Sequence, residues 1–335
     1  MVHGWPAAHP AISPPVDHSA LNAYYSDHFV LPLPPGHRFP MQKYRLLREQ
    51  VAAIDAITLH EAPHTTNGVL ALAHHPRYIA AVADGTLSPA EQRAIGFPWS
   101  PAMVERSRRA TGATIAACRA AIQHGVAVNL AGGTHHAHAG RGEGFCVFND
   151  SATAARLMQA EQRAARVAVV DLDVHQGNGT ASILARDDSV FTLSLHGENN
   201  YPFAKETSDL DVGLADGTGD AAYLVALDTA LNTMFSRFTP QLIIFLAGAD
   251  PHEGDRLGRL RLTLAGLAAR DELVFQHAAE RAIPVAVTMG GGYGKNIDDT
   301  VAVHLQTITI AARHARTWEA NKNKVAEHGD HRDMS

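Results

Sequence analysis

Apolar and polar positions follow two different periods along the middle of the chain. Val126–Leu130, Val167–Leu172, Val190–Leu195, Leu242–Ala247 and Val285–Thr288 are short, nearly unbroken apolar runs. Such runs fit strands covered on both faces by helices. Between them lie longer segments with helical patterning: Ala102–His124, Asn149–Ala165, Gly179–Arg186, Ala221–Phe238, Leu264–Ala282 and Asn296–Arg316. Strand and helix alternate at least four times with short connections. This predicts a three-layer α/β/α fold around a central, mainly parallel sheet. No internal repeat and no Gly/Ser linker interrupts the pattern. One domain is therefore expected over about residues 22–318. An irregular, proline-bearing extension (1–21) precedes it and a polar tail (319–335) follows.

Composition narrows the picture. The chain has 335 residues, of which 46% are hydrophobic and 19% charged, as expected of a packed globular protein. A net charge of −6 argues against nucleic acid as a partner. No apolar run approaches the ~20 residues that span a bilayer. No basic region followed by an apolar one marks a signal peptide at the N-terminus. Cys118 and Cys146 are the only cysteines. A disulfide framework is thus excluded, and a reducing cytoplasm fits. The 21 histidines are dispersed rather than gathered in one tract, so a tag or storage tail does not explain them.

Ligands of open α/β sheets bind beyond the carboxyl ends of the strands, so polar residues of an enzyme should cluster there. They do. Ala-Gly-Gly-Thr-His-His (131–136) follows the first run, and Asp-Leu-Asp-Val-His-Gln-Gly-Asn-Gly (171–179) closes the second. Gly248-Ala-Asp250 follows the fourth and Met-Gly-Gly-Gly-Tyr-Gly (289–294) the fifth. Asp171, Asp173 and His175 are two residues apart and share one face of an extended segment. Carboxylate and imidazole suit a zinc-like cation, and Asp250 is the best candidate for the remaining ligand. Taken alone, the triplet fits a solvated strand-end cap equally well, and Asp250 an ordinary turn residue. Gly132-Gly133 can bend the chain so that His135 and His136 converge, and neutral imidazole is the usual proton shuttle near pH 7. Two plain loop histidines are the competing reading; His138 and the pair His74-His75 are left with it. Tyr293 after three glycines offers either an oxyanion donor or a packed aromatic in a tight turn.

Taken in order, His135-His136, Gly144-Phe145-Cys146, Asn149-Asp150, Asp171-x-Asp173-x-His175-x-Gly177-x-Gly179, Gly248-x-Asp250 and Gly290-Gly-Gly-Tyr293 resemble the zinc-dependent histone deacetylase family, which has the arginase/deacetylase fold. The resemblance runs from about Tyr25 to Ala311. Gly254-Asp-Arg-Leu-Gly258, Asn178, Tyr25-Ser-Asp-His-Phe29 and Pro35–Met41 resemble the class IV branch and its bacterial members. The related arginases hold two manganese ions with an Asp-Ala-His-x-Asp pattern. Asp-Leu-Asp-Val-His here favours one catalytic metal.

The resemblance implies roles. Asp173, His175 and Asp250 would bind zinc, although Fe(II) suits the same ligands. His136 would be the general base and acid, with His135 its electrostatic partner. Asp171 would orient His135, and Asn178 would orient His136. Tyr293 would bind the carbonyl oxygen. Gly144 and Phe145 would line an acyl-lysine tunnel. A structural potassium would use Asp171, Asp173, His175, Ser194 and Leu195. Many members hold a second potassium, and the matching segment lies near Leu184–Val190. The expected activity is hydrolysis of an acyl-lysine amide, acetyl or longer, in a protein or peptide. The alternatives are deacetylation of an acetylpolyamine or other small amine, and an acyl-lysine reader without catalysis.

Overall fold

The computed structural model describes residues 21–330, with side chains through Trp318. Residues 1–20 of the irregular extension expected at 1–21, and the last five residues of the expected tail, lie outside the described residues; Leu21 is not irregular but opens the first strand. The strands are β1 (Leu21–Tyr25), β2 (Ile57–Glu61), β3 (Val126–Asn129), β4 (Val167–Asp171), β5 (Val190–Gly197), β6 (Leu210–Leu214), β7 (Leu242–Leu246) and β8 (Val285–Thr288). They form one sheet in the order β2-β1-β3-β8-β7-β4-β5-β6, and every pairing is parallel.

The five runs read from the sequence are the central strands β3, β4, β5, β7 and β8. Alternate residues on them face two separate cores. Val128, Val170, Phe245 and Val287 pack against α1 (Lys43–Val51), α8 (Asp220–Arg237), α9 (Leu264–Glu280) and α10 (Ile297–Asp330). Ala127, Val169, Ile244 and Ala286 face α5 (Pro101–His124), α6 (Asp150–Ala160) and α7 (Asn178–Leu184). That is the expected three-layer arrangement. A smaller apolar cluster joins Tyr78, Ile79 and Val82 of α3 (Pro76–Asp84) to Met103 and Phe148.

Two differences from the sequence reading stand out. The expected helix at Asn296–Arg316 continues as α10 to Asp330, into the segment read as a polar tail. Glu319, Ala320, Lys322, Lys324 and Ala326 are good helix formers, so the polar composition of this segment is compatible with a continuing helix. The short helices α2 (Asn67–Leu70), α3 and α4 (Pro89–Ile95) fill the stretch before α5. Pro76 and Pro89 start two of them, where a missing N–H costs nothing.

Candidate active site

Because the sheet is parallel, the loops after β3, β4, β7 and β8 all emerge on one rim, and the predicted residues meet there. The loop after β3 turns through Gly132 and Gly133, both in the left-handed region (φ 78° and 72°). Asp150, at the start of α6, braces this turn. Its carboxylate accepts from Gly133 N (2.9 Å), Thr134 N (2.8 Å) and Thr114 Oγ1 (2.6 Å). Asn149 caps α6 by accepting from Ala152 N (2.9 Å), and its amide donates to Ala137 O (3.1 Å). The turn brings the rings of His135 and His136 to 4.1 Å between centroids, both buried.

Each histidine has its own partner. His135 Nδ1 lies 2.7 Å from Asp171 Oδ2, and His136 Nδ1 lies 2.7 Å from Asn178 Oδ1. The two rings are tuned in opposite directions. Burial alone would lower His135, but the carboxylates of Asp171 and Asp173 overcome it and raise its pKa to about 9. Burial, with His135 and His175 nearby, holds His136 well below the ordinary histidine value. The carboxylates beside His135 thus favour its charged form, while burial favours the neutral form of His136.

Asp173, His175 and Asp250 place one ligand atom each within 4.8 Å of the others, the one such set of three among the described residues. Asp173 Oδ1 lies 2.9 Å and Asp250 Oδ2 3.2 Å from His175 Nδ1. Gly291 N donates to Asp173 Oδ2 (2.7 Å), and Val174 N donates to Asp250 Oδ1 (2.9 Å). Asp250 Oδ2 is buried and takes no hydrogen bond. Burial, and then the charge of Asp173, pushes the Asp250 carboxyl up. Burial would lower His175, but the carboxylates of Asp173 and Asp250 beside it raise it to about 10. The cluster lacks positive charge at its centre and draws a proton to supply it. A divalent cation in that proton's place would balance two carboxylates, satisfy the orphaned oxygen and leave a ligand position open. The residues present thus fit a catalytic metal.

Tyr293 follows Gly292 and is 9% exposed. Burial, then Asp250 and Asp173, raises its pKa well above 10, so its hydroxyl keeps its proton. Asp255 accepts from Tyr293 N (2.6 Å), and Arg256 Nε donates to Tyr293 O (2.9 Å). The Gly254–Gly258 motif therefore clamps the backbone that carries the phenol. A cavity of about 350 Å³ reaches this site, lined by His135, His136, Asp173, His175, Tyr293, Gly144, Phe145, Tyr201 and Leu257 among others. Phe145 sits at φ 65°, rare for a bulky residue. Its ring lies 6.0 Å from that of Tyr293.

Ser194 faces Asp171 across the β4–β5 register, and its Oγ lies 3.0 Å from His196 Nδ1. Leu195 is buried in the core beside it. All the sequence candidates therefore come from the rim of β3, β4, β5, β7 and β8 or the loop lining the cavity.

The sequence reading missed several supporting residues. Lys43 of α1 is buried and donates to Gly290 O (3.3 Å). Arg270 of α9, fully buried and paired with Asp271 (2.8 Å), donates to Gly248 O (2.6 Å) and Leu172 O (3.4 Å). It thereby ties together the two loops bearing Asp173 and Asp250. Glu143 and Tyr201 come from loops without periodicity; Asp255 was read as part of the Gly254–Gly258 motif but without its role as acceptor for Tyr293 N. His74 is structural: its ring bridges His138 O (3.0 Å) and Asn149 N (2.8 Å). His138, read as an ordinary loop residue, lies beside Asn178.

Comparison with known proteins agrees with this geometry. The histone deacetylase domain model matches residues 37–308. An uncharacterized protein of Picosynechococcus sp. is 45% identical over 283 residues, covering 84% of this chain and 94% of its own. The histone deacetylase-like amidohydrolase of Pseudomonas aeruginosa is 30% identical over 286 residues, covering 79% of this chain and 74% of its own. In structure, an HDAC homologue from Aquifex aeolicus superposes with a TM-score of 0.76 at 24% identity, over 87% of this chain and 84% of that one. The fold is the arginase/deacetylase fold, and the chain belongs to the histone deacetylase family of amidohydrolases.

Proposed function

We propose that the protein is a zinc-dependent deacylase that hydrolyses N-ε-acyl-lysine amides, acetyl or longer, to a free amine and a carboxylate. The observation that carries this reading is the meeting, in one cavity, of a buried two-carboxylate, one-imidazole ligand set with a neutral histidine and a protonated phenol. When bound to Asp173, His175 and Asp250, a zinc ion supplies Lewis acidity to the amide carbonyl and to the attacking water. His136, neutral and held at Nδ1 by Asn178, presents its other ring nitrogen as the base and then returns the proton to the departing amine nitrogen. Tyr293 donates from its hydroxyl to the carbonyl oxygen as negative charge grows there. His135, charged and anchored by Asp171, adds positive potential beside it. The Gly144 carbonyl takes only a weak bond from the Cys146 thiol (3.4 Å), which leaves it free to accept the substrate amide N–H. A structural potassium would be held by Asp171, Asp173, His175, Ser194 and Leu195; the β4–β5 pairing sets Asp171 opposite Ser194.

The deciding experiment assays zinc-reconstituted protein against acetyl-, medium-chain- and myristoyl-lysine peptides and against acetylpolyamines. Turnover of the peptides supports the reading. Turnover confined to acetylpolyamines would replace it with small-molecule deacetylation. Peptide binding without turnover would make the protein a reader.

A further inference from the structure

Asn178 has its full set of partners, and they are not interchangeable. Its Oδ1 meets His136 Nδ1 at 2.7 Å. Its Nδ2 donates to Glu143 Oε1 at 2.7 Å and lies 3.2 Å from His138 Nε2. Two amide hydrogens thus face two acceptors, and the one carbonyl oxygen faces the catalytic ring. Arg141 Nη2, which can only donate, also points at His138 Nε2 (3.0 Å), closer than the Glu143 Oε1 at 3.5 Å, so that nitrogen is assigned as an acceptor. Glu143 is 17% exposed on its side chain, and its second oxygen is turned to Arg141 Nε at 3.4 Å.

We propose that Glu143 is a positioning residue for His136, acting through the amide of Asn178 to fix which ring nitrogen carries the proton. A side-chain amide can turn over by exchanging its oxygen and nitrogen, and only its partners decide between the two settings. Turned over here, Asn178 would set its oxygen against the Glu143 carboxylate and the His138 lone pair. It would also present N–H to His136 Nδ1. The ring would then accept at Nδ1 and carry its proton on Nε2, so the nitrogen needed as a base would be blocked. Glu143 forbids that setting by charge and by its hydrogen bond. An aspartate at 178 would need no such control, since both its oxygens accept. Beside Glu143, however, it would set two carboxylates against each other, and one would have to take up a proton. Asn178 and Glu143 are therefore a matched pair: the amide supplies the acceptor and the carboxylate supplies its orientation. This rests on the deacylase reading for His136 as base.

The test uses zinc-loaded protein. Glu143→Ala should lower kcat at least about tenfold, since loss of general acid–base catalysis costs roughly 10²–10⁴ when complete. KM and zinc content should be unchanged. Glu143→Gln, which can still accept from Nδ2, should recover most of the loss. Asn178→Asp alone should be impaired, and Asn178→Asp combined with Glu143→Ala should be more active than either single variant. Nitrogen-15 shifts of the His136 ring should show the proton on Nδ1 in the wild type and a shift of population to Nε2 in Glu143→Ala. An unchanged kcat and unchanged ring shifts in Glu143→Ala would overturn the proposal. So would a double variant no more active than the better of the two singles. If the wild type cleaves no acyl-lysine peptide, the deacylase reading fails, and the ring shifts alone still decide whether Glu143 sets the tautomer.

Discussion

Gly291 lies between the two carboxylates of the candidate metal site, and replacing it with alanine is the sharpest test of that site. Its backbone φ lies outside the left-handed region, so alanine is excluded by space and not by conformation. A Cβ there would overlap Asp250 Oδ2 outright. It would also stand 2.7 Å from Asp173 Oδ2 and 2.9 Å from Asp250 Cγ. Relief requires one or both carboxylates to retreat by on the order of 1 Å. Zinc–oxygen bonds of about 2.0–2.2 Å tolerate only ~0.2 Å. Losing an outer partner of a ligand costs about 10–100-fold in metal affinity, which sets a floor for displacing the ligand itself. Gly291→Ala should therefore weaken zinc binding at least ~100-fold, about 2.7 kcal/mol. Overpacking should cost the metal-free fold only about 1–3 kcal/mol. Competition against a chromophoric chelator measures the first quantity, and urea unfolding of the metal-free protein the second. Gly68→Ala is the control, because its Cβ would meet only Thr66 Oγ1 at 4.0 Å. Wild-type zinc affinity in folded Gly291→Ala would show that Asp173 and Asp250 do not share an ion.

Tyr293→Phe keeps the ring but removes the donor, so kcat should fall by about 10²–10³ while zinc stays bound; kinetics beside metal analysis check this. His74 and His196 are held neutral by burial, with pKa values lowered from 6.5 to about 4. Their contribution is complete above pH 6.5 and is lost as pH falls towards 4, by about 3 kcal/mol for His74. Denaturant midpoints of metal-free protein at pH 7, 6 and 5 should fall, and less steeply in His74→Gln. Arg270→Met strands Asp271 without its buried partner and should cost about 3–5 kcal/mol by urea unfolding. Arg270→Met with Asp271→Leu should recover much of that loss.

The central strands were legible because burial on both faces leaves an unbroken apolar run, as in Leu242–Leu246. β2 and β6 were not, since as edge strands they are partly exposed and carry His60, Glu61 and Asp211 among their apolar positions. β1 escaped for a different reason: five residues including Asn22 make too short a signal. The zinc-ligand candidates were legible through their position after strands. Glu143, Tyr201 and Asp255 act through side chains or backbone contacts that only the folded loops create. The structure also separated His138 from His74, which the sequence left under one reading: one ring flanks Asn178, and the other holds two loops together.

The place of β8 bears on how the chain reaches its native state. It is the last strand in sequence, yet it lies between β3 and β7 in the middle of the sheet. Until it docks, β2-β1-β3 and β7-β4-β5-β6 are two half-sheets with no shared neighbour. Each then exposes a parallel edge that invites pairing with another chain. Gly291, just beyond β8, must find Asp173 across 118 residues of sequence. During synthesis the pocket is therefore closed only near the end, by the same segment that seals the sheet. Such distant pairings make slow folding the expectation, and a nascent chain stopped before β8 would be prone to aggregate.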